Sequence, residues 1–217
     1  GTLFFRVTQI IKNQKERGHQ PKIIVLENVR NLMTHDKGRT FAVIKQELEN
    51  LGYKVFSAKL NSADYGVPQT RNRVFLVCFL EDVNYKFPEP QRSETKLQDI
   101  LETNVPDKYF LSKRILKTIM SNGTGGYYAK SEIDLPIARP LTATMAKMHR
   151  ACQDNYVTQE KGVRRLTPRE CARLQGFPES FKIEVSDAQA YKQFGNAVTV
   201  NVSYAIAKSI LEQVKHE

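Results

Sequence analysis

No apolar run among these 217 residues approaches the about 20 needed to span a bilayer, and no charged-then-apolar leader opens the chain. A soluble, cytoplasmic protein with no membrane partner is expected. Cysteine is scarce. The three present, Cys78, Cys152 and Cys171, show no paired spacing, which supports neither a disulfide framework nor a zinc site, so no metal is expected. Cys78 falls in the apolar run Val74 to Leu80 and Cys171 in a helical pattern, and both read as core. There is no internal repeat, and the tract Ser121-Asn122-Gly123-Thr124-Gly125-Gly126 is too short to be low-complexity.

Acidic residues are in deficit, and unevenly so. The net charge is +10. Residues 1–107 carry 16 basic against 13 acidic side chains, residues 108–173 carry 13 against 5, and residues 174–217 carry 4 against 5. A basic excess confined to one stretch is the footprint of a phosphate-backbone partner, although a solvated basic face has the same composition.

Leu3, Phe4, Val7, Ile10 and Ile11 recur at helical spacing and predict an amphipathic helix over 3–16. Lys22 to Leu26 has the branched apolar pattern of a strand buried on both faces of a parallel sheet. A second helix is expected over 38–51, stopping at Gly52. Strands are expected around Tyr53 to Leu60 and over Val74 to Leu80, with a turn-rich loop between them. This alternation predicts an α/β layer architecture. From Lys86 prolines break the pattern, and residues 88–165 read as a separate, irregular, basic module. Thr167-Pro168-Arg169-Glu170 spells a capping box with proline at the first helical position. Ser186 and Gln189 repeat the arrangement, and a closing helix is expected over Ala197 to Val214.

Glu27 lies at the carboxyl end of an apolar strand, where open α/β sheets place their sites; a plain capping acid would sit there equally well. Gln69, Arg71 and Arg73 alternate, so both arginines are expected on one side of an extended stretch, offering donor forks to phosphate or to a base carbonyl. The basic module supplies Lys130, Arg139, Lys147, His149, Arg150 and Lys161, interleaved with Tyr127, Tyr128 and Tyr156, a set able to reach groove edges and phosphates.

Four stretches in order, Lys22–Leu26 running into Glu27-Asn28-Val29, Gln69-Thr70-Arg71-Asn72-Arg73, Arg164 to Pro178, and Phe194-Gly195-Asn196-Ala197-Val198, resemble motifs of the DNA (cytosine-5) methyltransferases. The family's Gly-rich cofactor loop and Pro-Cys-Gln nucleophile segment have no counterpart. The chain therefore resembles the carboxyl-terminal portion of such an enzyme, of the bacterial restriction-modification type. Its opening, Gly1-Thr2-Leu3-Phe4-Phe5, resembles the helix start after the family's mobile catalytic loop.

The resemblance implies the back half of a doubly wound S-adenosylmethionine-dependent methyltransferase domain over 1–87, a small target-recognition domain over 88–165, and closing helices over 166–217 that pack back on the catalytic domain. It implies catalytic roles for Glu27 and Arg73 on a flipped cytosine. Gln69, Arg71, Thr142, Lys147 and Arg150 are the expected DNA-binding residues, Arg71 through a phosphate or else in a structural role, with Thr142 matched through Arg139-Pro140-Leu141-Thr142-Ala143. Asn196 and Ala197 are expected at S-adenosylmethionine, which the absent amino-terminal half would bind in the main; Asn196 could equally be a helix N-cap. Arg165 and Arg169 are expected to hold loops. Ala151-Cys152-Gln153 echoes the nucleophile segment but lacks the proline and follows Glu27, so Cys152 is expected to be non-catalytic. The implied partners are duplex DNA and the missing half. A binding-only remnant and a transfer-RNA cytosine methyltransferase are the rival readings.

Overall fold

The computed structural model describes residues 2–91, 93–122, 126 and 128–214. Gly1, Gly123, Thr124, Gly125 and Tyr127, all named above, lie outside the described residues. The chain divides into two compact units, one of residues 1–60, 72–89 and 206–217, the other of residues 61–71 and 90–205.

In the first unit α1 (Thr2–Glu16) precedes β1 (Ile23–Val29), α2 (Arg39–Asn50), β2 (Lys54–Asn61) and β3 (Asn72–Phe79), with strand order β1-β3-β2. The central strand, β3, is buried without interruption from Val74 to Phe79, as its unbroken apolar run requires. α2 turns Ile44 and Leu48, four residues apart, into a core shared with Ile11, Leu51, Tyr53, Val74, Leu76 and Cys78. Burying a leucine as fully as Leu48 contributes about 1.5–3 kcal/mol.

β1 departs from expectation. It runs antiparallel to β3, pairing Ile23 with Phe79 through Val29 with Arg73, whereas Lys22–Leu26 predicted a strand of a parallel sheet buried on both faces. A run of branched residues encodes strand propensity but not direction. Nor is β1 buried on both faces, since Val25 is 47% exposed and Val29 is 54% exposed.

In the second unit α3 (Lys113–Ile119), a hairpin of β4 (Tyr156–Gln159) and β5 (Gly162–Arg165), α4 (Pro168–Leu174) and α5 (Asp187–Asn196) are joined by long irregular segments. α6 (Val200–Val214) begins here and ends in the first unit. The core joins Leu97, Val105, Tyr109, Ala138, Leu141 and Val157 to Leu166, Cys171, Leu174, Tyr191 and Phe194. Residues 166–205 group with residues 90–165 in this unit, where α4 and α5 bury their apolar faces against Leu97, Leu141 and Val157.

The capping box forms as written: Thr167 Oγ1 accepts from the Glu170 N–H at 3.2 Å, and the Glu170 carboxylate accepts from the Thr167 N–H at 2.8 Å. Glu170 does more than cap. Its two oxygens also receive the Arg164 guanidinium fork at 2.6 and 2.8 Å, both side chains being 0% exposed. Ser186 caps α5 through the Gln189 N–H.

Candidate active site and nucleic-acid interface

Glu27 lies inside β1 with Phe75 opposite, and Arg73 faces Val29 two positions along, so the two side chains are diagonal neighbours on one face of the ladder. Arg73 Nε forms an ion pair with Glu27 Oε1 at 2.9 Å, and Arg73 Nη1 donates to the Asn72 carbonyl at 2.9 Å. The pair is partly open to solvent, with Glu27 26% and Arg73 20% exposed. A carboxyl and a planar donor fork held together and still accessible can present a proton donor or acceptor beside a carbonyl-binding group. Asn28 stays exposed, its Oδ1 accepting from the Val29 N–H. The sequence-predicted catalytic pair is therefore brought together within the first unit.

Gln69 and Arg71 take a different position from the one the Gln-x-Arg-x-Arg pattern suggested. Gln69 is 0% and Arg71 2% exposed. Gln69 Nε2 donates to the Leu174 carbonyl at 2.9 Å, and its Oε1 accepts from the Leu141 N–H at 2.9 Å. Arg71 donates from Nη1 to the Leu141 carbonyl and from Nη2 to the Gly195 and Ala197 carbonyls, each at 2.9 Å. Side chains so enclosed brace the second unit internally, which for Arg71 is the structural one of its two expected roles. Nor do Arg71 and Arg73 act as one fork pair, because the partners of Arg71 lie in the second unit and Arg73 pairs with Glu27 in the first.

Thr142, next to the braced Leu141, is half-buried, with its Oγ1 3.5 Å from Thr144 Oγ1. Thr144 Oγ1 also lies 3.1 Å from His149 Nε2. Lys147 is exposed at the end of a short 3-10 turn. Arg150 is half-buried and donates from Nε to Ser121 Oγ at 2.7 Å. Lys130, Arg139 and Lys161 have acidic partners: Glu132 at 2.7 Å for Lys130 and 3.4 Å for Arg139, and Asp107 at 2.6 Å for Lys161. Of the expected aromatics, Tyr128 is 71% exposed, whereas Tyr156 is a core residue whose hydroxyl donates to the His149 carbonyl.

Asn196 is the exposed last residue of α5, four positions before α6 begins at Val200, so it is not the N-cap of α6. The carbonyls on either side of it, of Gly195 and Ala197, point inward to Arg71. Gly195 itself is pressed against the Thr142 peptide: a Cβ there would fall 2.2 Å from the Thr142 carbonyl carbon. Gln175 adds a second brace, donating to the Phe194 carbonyl at 2.6 Å while its Oε1 accepts from Thr199 at 2.9 Å.

The Arg165 guanidinium lies over the Tyr109 and Tyr191 rings, 5.6 and 5.0 Å from their centroids, and Arg169 donates to the Phe181 carbonyl at 2.7 Å. Cys78 and Cys171 are buried. Burial pushes the Cys78 thiol up to about 12 and the Cys171 thiol well above its ordinary range. Cys152 is half-buried. Among the described residues no cluster of His, Cys, Asp and Glu could hold a metal ion, and no helix is long and apolar enough to cross a membrane.

Sequence reasoning missed the Arg164–Glu170 ion pair and the bracing by Gln175. Both residues stand inside the Arg164–Pro178 motif, but nothing in their spacing says which side chains turn inward.

The model of the C-5 cytosine-specific DNA methylase family matches residues 1–212. Type II methyltransferase M.SsoII of Shigella sonnei is 40% identical over 228 residues, covering 97% of this chain and 57% of the relative. Type II methyltransferase M1.ScrFI of Lactococcus lactis subsp. cremoris is 41% identical, covering 98% of this chain and 56% of the relative. The chain thus spans little more than half the length of these relatives. Among solved structures, the S. pombe Dnmt2 methyltransferase matches with a TM-score of 0.76 at 18% identity, over 99% of this chain and 72% of that one. The Entamoeba histolytica methyltransferase EhMeth matches with a TM-score of 0.74 at 20% identity, over 90% and 64% respectively.

Proposed function

The chain belongs to the C-5 cytosine-specific DNA methylase family, and from that premise we propose that it supplies the base-orienting and DNA-recognition half of an enzyme that methylates C5 of a flipped-out cytosine in duplex DNA. The observation that carries the reading is the ion pair between Glu27 and Arg73, accessible and held at 2.9 Å.

A cytosine ring has no good electrophile. Hydrogen bonding or protonation at N3 opens C6 to a thiolate, and C5 then becomes nucleophilic. Glu27 faces N3 and the exocyclic amine in this proposal, and Arg73 turns its remaining donors toward O2. The base must leave the duplex stack to reach them. Thr142, Lys147 and Arg150 hold the DNA backbone, with Gln69 and Arg71 bracing Thr142 from behind.

S-adenosylmethionine supplies the methyl group when bound. What this chain offers it is narrow: the exposed amide of Asn196, with the neighbouring Ala197 carbonyl already turned inward, suits one polar end of that molecule. Most of its site, and the nucleophilic cysteine, belong in this reading to an upstream segment. A binding-only remnant has no use for a carboxyl and guanidinium held in register on a sheet face.

Methyl incorporation from labelled S-adenosylmethionine tests the reading. Transfer to cytosine C5 is expected only from a polypeptide that adds an upstream Pro-Cys-Gln segment to this chain, and it should be competed by duplex DNA far better than by transfer RNA. Transfer by residues 1–217 alone, or preferential competition by transfer RNA, would overturn it.

A further inference from the structure

Arg71 is where three stretches of the second unit meet. Residues 68–71 run beside Ala138, with the Thr70 N–H donating to the Ala138 carbonyl at 2.9 Å and the Ala138 N–H to the Pro68 carbonyl at 2.8 Å. Leu141 is then held at both ends, its N–H by Gln69 and its carbonyl by Arg71. The other guanidinium nitrogen of Arg71 gathers the Gly195 and Ala197 carbonyls, which flank Asn196. Gly195 touches the Thr142 peptide so closely that no side chain fits between them.

The exposed Asn196 and the half-buried Thr142 are thus tied to one planar, fully enclosed cation. A guanidinium holds its partners in a fixed fork that an ammonium cannot reproduce. A shift of the turn at Asn196 must either move the Leu141–Thr142 peptide with it or leave buried carbonyls without a donor, and the second costs more than a surface rearrangement.

We infer that Arg71 is a positioning residue through which occupancy beside Asn196 and engagement of DNA by Thr142 are coupled. The inference rests on the proposed function, which gives Asn196 and Thr142 their ligands. Coupling between two sites is reciprocal, so DNA raises cofactor affinity by the same factor that the cofactor raises DNA affinity.

The test uses the methyltransferase that contains this chain. The Kd of S-adenosylhomocysteine is measured by calorimetry with and without saturating plasmid DNA from a host lacking cytosine methylation, for wild type, Arg71→Met and Arg71→Lys. Wild type is expected to bind at least about 5-fold more tightly with DNA, the low end of typical couplings. In Arg71→Met the ratio falls to near one. Arg71→Lys, which keeps the charge and can reach one carbonyl, gives an intermediate ratio and decides the question if the methionine variant does not fold. Loss of both affinities in proportion, with the ratio preserved, overturns the inference in favour of a merely structural arginine. A wild-type ratio of one overturns it while leaving the proposed function standing. Wild type that binds neither DNA nor S-adenosylhomocysteine removes both.

Discussion

Glu27 and Arg73 lie diagonally across the β1/β3 ladder, and their side chains close an ion pair of 2.9 Å without leaving solvent. The register that pairs Val29 with Arg73 and Glu27 with Phe75 is what puts them on the same face. A slip of one residue would turn Glu27 to the opposite face.

Replacing Arg73 by methionine removes a donor proposed to bind the base. The turnover rate should fall about 10²–10³-fold, the usual cost of losing one such donor. Arg73→Lys should recover only part of it, because a single ammonium cannot hold Glu27 and a base carbonyl in a fixed fork. Steady-state kinetics with duplex DNA check this, and a lysine variant at full rate would contradict it.

The Arg164–Glu170 pair is completely buried. Removing one partner leaves a buried charge uncompensated, at a cost of about 3–5 kcal/mol. Glu170→Ala also takes the acceptor from the Thr167 and Glu102 N–H groups. Urea unfolding of that variant should show a large fall in midpoint. A midpoint within error of wild type would mean that the pair is dispensable.

Gly195→Ala would place its Cβ 2.2 Å from the Thr142 carbonyl carbon, against backbone that cannot move aside as a side chain could. Destabilisation of about 1–3 kcal/mol or more is expected from such overpacking, together with weaker DNA binding because Thr142 is what yields. Thermal unfolding and a DNA titration of the same variant read the two effects separately.

The Cys78 thiol is raised to about 12 by burial, and burial also raises that of Cys171 well above its ordinary range. A raised folded value favours the protonated thiol, so the stabilisation it reflects is complete below about pH 8.5, the unfolded value, and is lost as pH rises through the folded one. At pH 8 the folded protein should therefore expose one reactive thiol, Cys152. Mass spectrometry after brief alkylation should find the adduct there, and fast modification of Cys78 would contradict the burial argument.

The elements most legible in the sequence were those set by local chemistry. Thr167 and Glu170 announced their capping box because the motif is a four-residue arrangement of side chain and amide. Cys78 was recognisable as core because its neighbours leave no polar face. The direction of β1 was not legible, since β-branched residues suit either pairing. The partners of Arg71 were not legible either: an arginine's sequence context shows the donors it carries and not which acceptors take them, and those acceptors, at Leu141, Gly195 and Ala197, lie 70 to 126 positions away. The packing of α4 and α5 was hidden likewise, because their partners are apolar residues in a segment whose own periodicity is weak.

The central claim is that Glu27 acts on the target base. Its most direct test is the single-turnover rate of methyl transfer to duplex DNA by the Glu27→Gln variant of the methyltransferase containing this chain, alongside its unfolding midpoint. The rate should be about 10²–10⁴-fold lower, the usual range for loss of a positioned proton donor or acceptor, with the midpoint little changed because the glutamine keeps the shape and an acceptor for Arg73. A variant that transfers methyl groups at the wild-type rate would contradict it.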